Sequence, residues 1–311
     1  MPENNNQTLT IAHLSDPHLS SLQGIQWRQL FNKRILGYLS WLKRRRFVHR
    51  PELLDALAMD LQVMAPDHIV VTGDLTHIGL QDEFRQSRRW LESLGAFDKV
   101  TVIPGNHDAY VSSPWHRAYL HWEPFMLSDK NKGAAVQGEA IFPTVRRRKH
   151  VAIIGLSSAV PSPPFMATGK LSDQQLSALE PLLRELKKEG LFRVVMLHHP
   201  PVHGVEKRRK RLINIDAFHE IIKAQGAELV LHGHGHQSVE NTIEGNDGAV
   251  PVVGVPSASS IGSQPGKQAG YNLYEISADE KKWTLNMIKR GYRSDRQQFV
   301  YQGNSTRVVD R

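Results

Sequence analysis

The chain reads as an α/β protein because short β-rich apolar runs alternate with stretches of helical periodicity, and because the residues able to do chemistry follow the ends of those runs. The runs are 8–14 (TLTIAHL), 68–73 (HIVVTG), 100–105 (VTVIPG), 151–156 (VAIIGL), 194–197 (VVML), 228–233 (ELVLHG) and 249–255 (AVPVVGV). Their length and β-branched content suit buried strands. Between them, residues 51–64 carry leucine and alanine at helical spacing behind Pro51, a residue that starts helices well because its missing N–H would be unsatisfied there anyway. Residues 173–188 follow Ser172, whose hydroxyl suits an N-cap. Residues 271–277 and 283–289 flank a turn with Asp279 and Glu280, which predicts an antiparallel hairpin. The stretch 290–311 is polar and is expected to be a loosely held tail. No repeat and no Gly/Ser-rich linker divides the 311 residues, so one domain over 1–311 is expected.

With 40% hydrophobic and 23% charged residues the chain can bury a sizeable core, which excludes a disordered, collagenous or coiled-coil protein. Cysteine is absent. That removes disulfides, thiolate metal sites, iron–sulfur clusters and a cysteine nucleophile, so any metal must sit on oxygen and nitrogen. The opening MPENNNQ is polar and no run of 18 apolar residues occurs, so the expected location is cytoplasmic, the inner face of a membrane included. A net charge of +8 and a pI of about 9.6 point to anionic partners.

The chemistry-bearing residues sit where strands end. Asp16 and His18 follow the first run as SDPH, Asp74 follows the second as TGD, and Asn106 with His107 follow the third as PGNHD. His198 follows VVML as LHHP, and His234 with His236 follow ELVL as GHGH. Strand tips of open α/β sheets converge on one crevice, and a spacing of two in DxH and HxH lets both side chains point to one side of an extended segment. Carboxylate, imidazole and carboxamide together suit two divalent ions among Mn, Fe, Co and Zn, and the abundance of imidazole argues against Mg or Ca alone. No GxSxG elbow and no P-loop spacing is present, which disfavours a serine hydrolase and a P-loop nucleotide triphosphatase.

In this order, DxH, GD, GNHD, HxP and GHxH resemble the calcineurin-like metallophosphoesterase superfamily, over Asp16 to His236. The resemblance implies a four-layer α/β/β/α sandwich. It implies one metal held by Asp16, His18, Asp74 and His236 and a second held by Asp74, Asn106, His198 and His234, with Asp74 bridging. It also implies attack by a metal-bridging hydroxide, with His107 stabilising the transition state or protonating the leaving group and Asp108 holding its ring. Manganese is the preferred ion. His13, His68 and His232 are expected to be structural histidines, while His77 and His203 either line the pocket or lie in exposed loops.

Between Trp27 and Arg50 stand Arg28, Lys33, Arg34, Lys43, Arg44, Arg45, Arg46 and Arg50 with no acidic residue. Trp27, Leu30, Phe31, Ile35, Tyr38, Leu39 and Leu42 recur there at helical spacing, so residues 21–50 are expected to form a basic amphipathic insertion with one apolar and one cationic face, suited to an anionic membrane surface. Residues 207–211 (KRRKR) are expected near the mouth of the site, and 146–149 (RRRK) in a solvated turn. Within the superfamily, GNHD and HHPP resemble the cyclic-nucleotide phosphodiesterase-like branch. The aromatic, arginine-rich insertion instead resembles a lid for an amphiphile, as in UDP-2,3-diacylglucosamine hydrolases, although the commonest form of those has arginine where this chain has His107. The expectation is hydrolysis of a phosphodiester or pyrophosphate, slightly favouring a lipid-linked anionic substrate, with a cyclic nucleotide as the alternative. A nuclease is disfavoured for want of any nucleic-acid module, so no specific nucleic acid is expected. A non-catalytic interaction protein is disfavoured because no ligand position is lost.

Overall fold

Apolar alternation builds two six-stranded mixed sheets. The computed structural model describes residues 8–19, 21–129, 141–262, 264 and 266–310; the MPENNNQ opening lies outside them. In chain order the strands are β1 Leu9–Leu14, β2 His68–Val71, β3 Val100–Val102, β4 Thr144–Arg148, β5 Val151–Gly155, β6 Phe192–Met196, β7 Leu229–His232, β8 Val239–Gly245, β9 Gly248–Gly254, β10 Gly270–Ala278, β11 Lys282–Arg293 and β12 Gln298–Asp310. One sheet runs β12-β11-β10-β1-β2-β3 and the other β4-β5-β6-β7-β9-β8. The strands that carry the motifs pair in parallel, β1 with β2, β2 with β3, and β6 with β7. Their carboxyl ends therefore share a side within each sheet.

The second sheet shows how period-2 patterning makes the layers. Ile153, Val194, Met196, Leu229 and Leu231 join the core that includes the first sheet. Their neighbours Ile154, Val195 and Val230 join a separate core with Leu179, Leu183 and Leu186 of α6 (Asp173–Lys188) and with Phe218 and Ile222 of α7 (Ile215–Gln225). Ser172 does cap α6, accepting from the Gln175 N–H at 3.3 Å. On the other side, Leu53, Leu54, Leu57 and Leu61 of α3 (Pro51–Met64) pack into the first core together with α4 (Gln81–Leu94). The result is the expected α/β class with paired sheets and flanking helices.

Several expectations change. The hairpin forms as read, with Asp279 accepting from the N–H groups of Lys281 and Lys282. The stretch 290–311 is not a loose tail: β11 continues to Arg293, and β12 pairs with it antiparallel from Gln298 to Asp310. The β-branched and aromatic residues of that stretch, with Phe299 buried, carry the strand, and Arg290 is fixed by Asp60 at 2.6 Å. Of residues 146–149 only Lys149 stands in an exposed turn, and Arg146–Arg148 belong to a strand. Arg146 lies in β4, is buried, and donates to the carbonyls of Leu127, Val100, Pro124 and Phe97. Four carbonyl acceptors satisfy a cation that burial would otherwise penalise.

The segment 21–50 does not form one amphipathic helix. It comprises a 3-10 turn (Trp27–Leu30), α1 (Arg34–Ser40), a π-helical turn (Trp41–Arg45) and the single turn α2 (Arg46–Val48). Its apolar residues divide. Leu30, Tyr38, Trp41 and Leu42 pack with Leu22, Ile78 and Leu80, whereas Trp27 (71%), Phe31 (82%), Ile35 and Leu39 are exposed. Gly37 allows the close approach, since a Cβ there would meet Ile78 at 2.5 Å and the Tyr110 hydroxyl at 2.8 Å. The segment is tied down along its length. Arg34 donates to the carbonyls of Ile78 and Gly79, Lys33 to Ser162, and the far end pairs with the 259–261 loop through Arg50 N–H to Ser259 O (2.9 Å) and Ile261 N–H to Val48 O (3.0 Å). Among the described residues no helix is long and apolar enough to cross a membrane.

Candidate metal centre

The structure brings Asp16, His18, Asp74, Asn106, His198, His234 and His236 together at the carboxyl ends of β1, β2, β3, β6 and β7, astride the two sheets. The DxH and HxH segments are not extended, as the spacing suggested. Asp16, His18, Asp74, His234 and His236 all have left-handed backbone, with φ between 44° and 67°. Asp and His tolerate this region better than most residues, and such strain clusters where geometry serves a site. Each of these residues turns the chain sharply where its strand ends.

Two groups result. Asp16, His18, Asp74 and His236 offer ligand atoms all within 4.8 Å of one another, with His236 Nε2 3.1 Å from Asp16 Oδ1 and His18 Nε2 3.9 Å from Asp74 Oδ2. Asp74 Oδ2 is also 3.5 Å from His198 Nε2, and Asn106 Oδ1 lies 3.2 Å from His198 Nε2 and 2.8 Å from His234 Nδ1. Asp74 thus stands between the groups. Gly105 is required beside it: a Cβ there would meet Asp74 Oδ1 at 2.3 Å and the His198 ring at 2.8 Å.

The ring nitrogens suit metal ions. His198 and His18 each present Nδ1 to a backbone carbonyl, Thr72 O at 2.6 Å and Thr76 O at 3.0 Å. A carbonyl only accepts, so Nδ1 carries a proton in both rings and Nε2 is the nitrogen turned to the cluster. His18 Nε2 and His234 Nε2 are buried without a hydrogen-bond partner, an arrangement that needs an explanation such as an ion. Burial holds His18 and His234 well below the usual imidazole range, with the neighbouring His49 adding to it at His18 and His199 at His234, so both are neutral and ready to coordinate. Burial opposes charge on His198 as well, but the carboxylates of Asp74 and Asp16 outweigh it and raise the ring to about 9. Cations would replace that proton as the partner of the carboxylates.

His199 presents its nitrogens to Ser158 Oγ (2.8 Å) and Ala167 O (3.3 Å), and so leaves the carboxylates to His198. His13 and His68 are buried on threonine hydroxyls, and His232 on the Gly233 carbonyl. His77 is buried and stacks on His18 at 5.1 Å, while His203 is exposed and paired with Asp216. The 207–211 run is exposed, and the charge of Lys210 reaches His234.

Asp108 does not hold the His107 ring. Its carboxylate accepts from the N–H groups of Asp74, Thr76 and Gly105 and from the Thr76 hydroxyl at 2.8–3.0 Å. Those donors already saturate it, and Asp108 clamps the loops after β2 and β3 together. The His107 ring is oriented instead by the His77 carbonyl, 2.5 Å from Nδ1. The sequence reading also missed two residues. Arg45 and His49, from the insertion, reach the same centre: Arg45 Nη1 lies 3.0 Å from His107 Nδ1, and the His49 ring packs on His18 at 4.4 Å. Their only sequence signal is a spacing of four, which would put both on one face of a continuous helix; the chain leaves the helix at His49, and tertiary packing brings the two together.

Paired sheets with this carboxylate and imidazole cluster at their strand tips form a site that could hold metal ions. The family model for calcineurin-like phosphoesterases matches residues 9–238, and the chain belongs to that family. It is 30% identical to a probable cyclic nucleotide phosphodiesterase of Synechococcus over 71% of this chain and 76% of that protein. It is 28% identical to a cAMP/cGMP dual specificity phosphodiesterase of Mycobacterium tuberculosis over 62% of this chain and 55% of that protein. Among solved structures it resembles a dimetal phosphatase from Danio rerio, with a TM-score of 0.55 and 16% identity over 94% of this chain and 98% of that one.

Proposed function

We propose that the chain is a phosphodiesterase of the cyclic-nucleotide class, working with two divalent cations. Asp16, His18, Asp74 and His236 would hold one ion, and Asp74, Asn106, His198 and His234 the other. The observation that carries this reading is the place of Asp74, whose Oδ2 faces His18 and His198 from between the two groups. Two cations so held would activate water at neutral pH and neutralise charge on the phosphoryl oxygens. Manganese is the ion we favour, because it accepts carboxylate and carboxamide oxygens alongside imidazole. His107 would serve the leaving group, its ring set by the His77 carbonyl.

The names of the relatives support a cyclic nucleotide over the lipid-linked substrate, for which the insertion is the sole argument. Turnover of the manganese-loaded protein on cyclic AMP and on UDP-diacylglucosamine in detergent, followed by phosphorus NMR, tests the choice. Nucleoside monophosphate from cyclic AMP is the expected product. Turnover of the lipid alone would reverse the substrate assignment, and turnover of neither, nor of a nitrophenyl diester, would end the phosphodiesterase reading.

The exposed stripe Trp27, Phe31, Ile35 and Leu39, flanked by exposed Arg28, Lys43, Arg44 and Arg46, supports a second element of this reading: peripheral attachment to an anionic bilayer. Wild-type protein should sediment with phosphatidylglycerol vesicles at low salt, and Trp27→Ser with Phe31→Ser should abolish it. Wild type that stays in the supernatant would sink the membrane assignment and leave the catalytic one untouched.

A further inference from the structure

We propose that Arg45 is a substrate-binding residue that grips the phosphoryl group, so that the insertion forms a wall of the active site as well as a surface element. The inference rests on the phosphoesterase reading of the centre and adds to it a residue outside the family's motif segments.

The first observation is that Arg45 makes no direct ion pair among the described residues, although the charges of Asp74 and Asp16 reach it. Its Nη1 lies 3.0 Å from His107 Nδ1, but that nitrogen is also 2.5 Å from the His77 carbonyl. The carbonyl accepts only, so the Nδ1 proton belongs to that bond, and Nδ1 has no lone pair left for Arg45. Among the described residues no carboxylate pairs with Arg45, whereas Arg147, Arg193 and Arg290 each have one. A guanidinium is thus held beside the cluster with its fork of N–H donors unspent. That fork matches two oxygens of a phosphate better than a lysine would.

The second observation is the backbone that delivers it. Arg45 ends the π-helical turn Trp41–Arg45, and such turns shift the phase of the residues that follow and recur at functional sites. Trp41, at the start of the turn, is buried in the insertion's own small core, which fixes the register. Just beyond, His49 Nδ1 bonds Ser259 Oγ at 2.8 Å, and the same loop is tied to the first motif by the Ser257 hydroxyl donating to Asp16 O at 2.6 Å. Arg45 is therefore positioned by contacts that lead back to the backbone of a candidate metal ligand. A free surface arginine would need none of them.

Arg45→Gln removes the charge and keeps much of the side chain's length. In the manganese-loaded protein it should weaken inorganic phosphate binding, read by calorimetry, and raise KM for bis(p-nitrophenyl) phosphate by about 10- to 100-fold, the range of a charge-assisted hydrogen bond. Metal content should stay at the wild-type level. Arg45→Lys should recover part of the loss, because it restores charge without the fork. Wild-type phosphate affinity and KM in folded Arg45→Gln would overturn the proposal, as would loss of bound metal accounting for the whole effect. Calorimetry with phosphate does not depend on turnover: a wild type that hydrolyses no diester but binds phosphate through Arg45 would sink the phosphodiesterase reading and leave this one standing.

Discussion

Asp74→Asn is expected to lower diester turnover by about 10³-fold or more and to reduce the metal content of the purified protein. Asp74 is buried, and its Oδ2 faces His198 at 3.5 Å and His18 at 3.9 Å, so a single carboxylate oxygen lies between the two ligand groups. Asparagine keeps the size and one oxygen but removes the negative charge that two cations would share. If that charge supplies several kcal/mol of transition-state stabilisation, and each 1.4 kcal/mol is a factor of ten, three decades follow. The fold should survive, because Oδ1 also accepts the His107 N–H at 2.7 Å and the amide oxygen is able to do the same. Metal analysis beside turnover separates the causes. Two ions per chain together with undiminished turnover would refute the bridging role.

His107→Ala is expected to leave metal content unchanged and to slow substrates unevenly, by about 10²- to 10⁴-fold where the leaving group is a poorly acidic ribose hydroxyl and far less where it is nitrophenol. With Nδ1–H committed to the His77 carbonyl, the ring is left with Nε2 as its working atom, and edge-on packing against His18 at 5.0 Å keeps it beside the cluster. Burial and then Arg45 push this imidazole well below its usual range, so the resting ring is neutral. A phosphate anion taking up the charge of Arg45 would favour the second proton that a general acid needs. Equal losses for both leaving groups would show that His107 does not protonate the departing oxygen.

The two variants probe different layers of what the sequence reveals. The positions of Asp74 and His107 are legible because each follows a run whose β pattern is unambiguous, and a residue just past a strand end in a parallel sheet is delivered to a predictable edge. The same logic preferred His198 to His199, and it is the His198 ring that faces the Asp74 carboxylate, while His199 turns to Ser158 and Ala167. It misplaced Asp108, whose neighbour relation to His107 suggested a contact with the ring. The carboxylate is consumed by N–H donors of Asp74 and Thr76, more than thirty residues away, and no local pattern announces that.

The insertion and the last strand show the same limit. Helical spacing from Trp27 onward identified an amphipathic segment, but the period continues only if the helix does, and the chain breaks it between the 3-10 turn Trp27–Leu30 and α1 and again at the π turn Trp41–Arg45. Half of the supposed apolar face went inward, half stayed exposed, and Arg45 turned to the metal centre. Likewise 290–311 looked polar and loose because an edge strand buries few side chains; its order comes from backbone pairing with β11 along 13 residues.

By itself, then, the amino-acid sequence determined the α/β class, the exclusion of thiol chemistry, and the seven residues at strand tips, since these depend on local periodicity and residue type. Tertiary structure alone decided the left-handed turns that aim those residues, the loop clamp made by Asp108, the pairing of β12, and the entry of Arg45 and His49 into the site. Each of these arises from hydrogen bonds or packing between segments far apart in the chain, where composition and spacing carry no record of the partner.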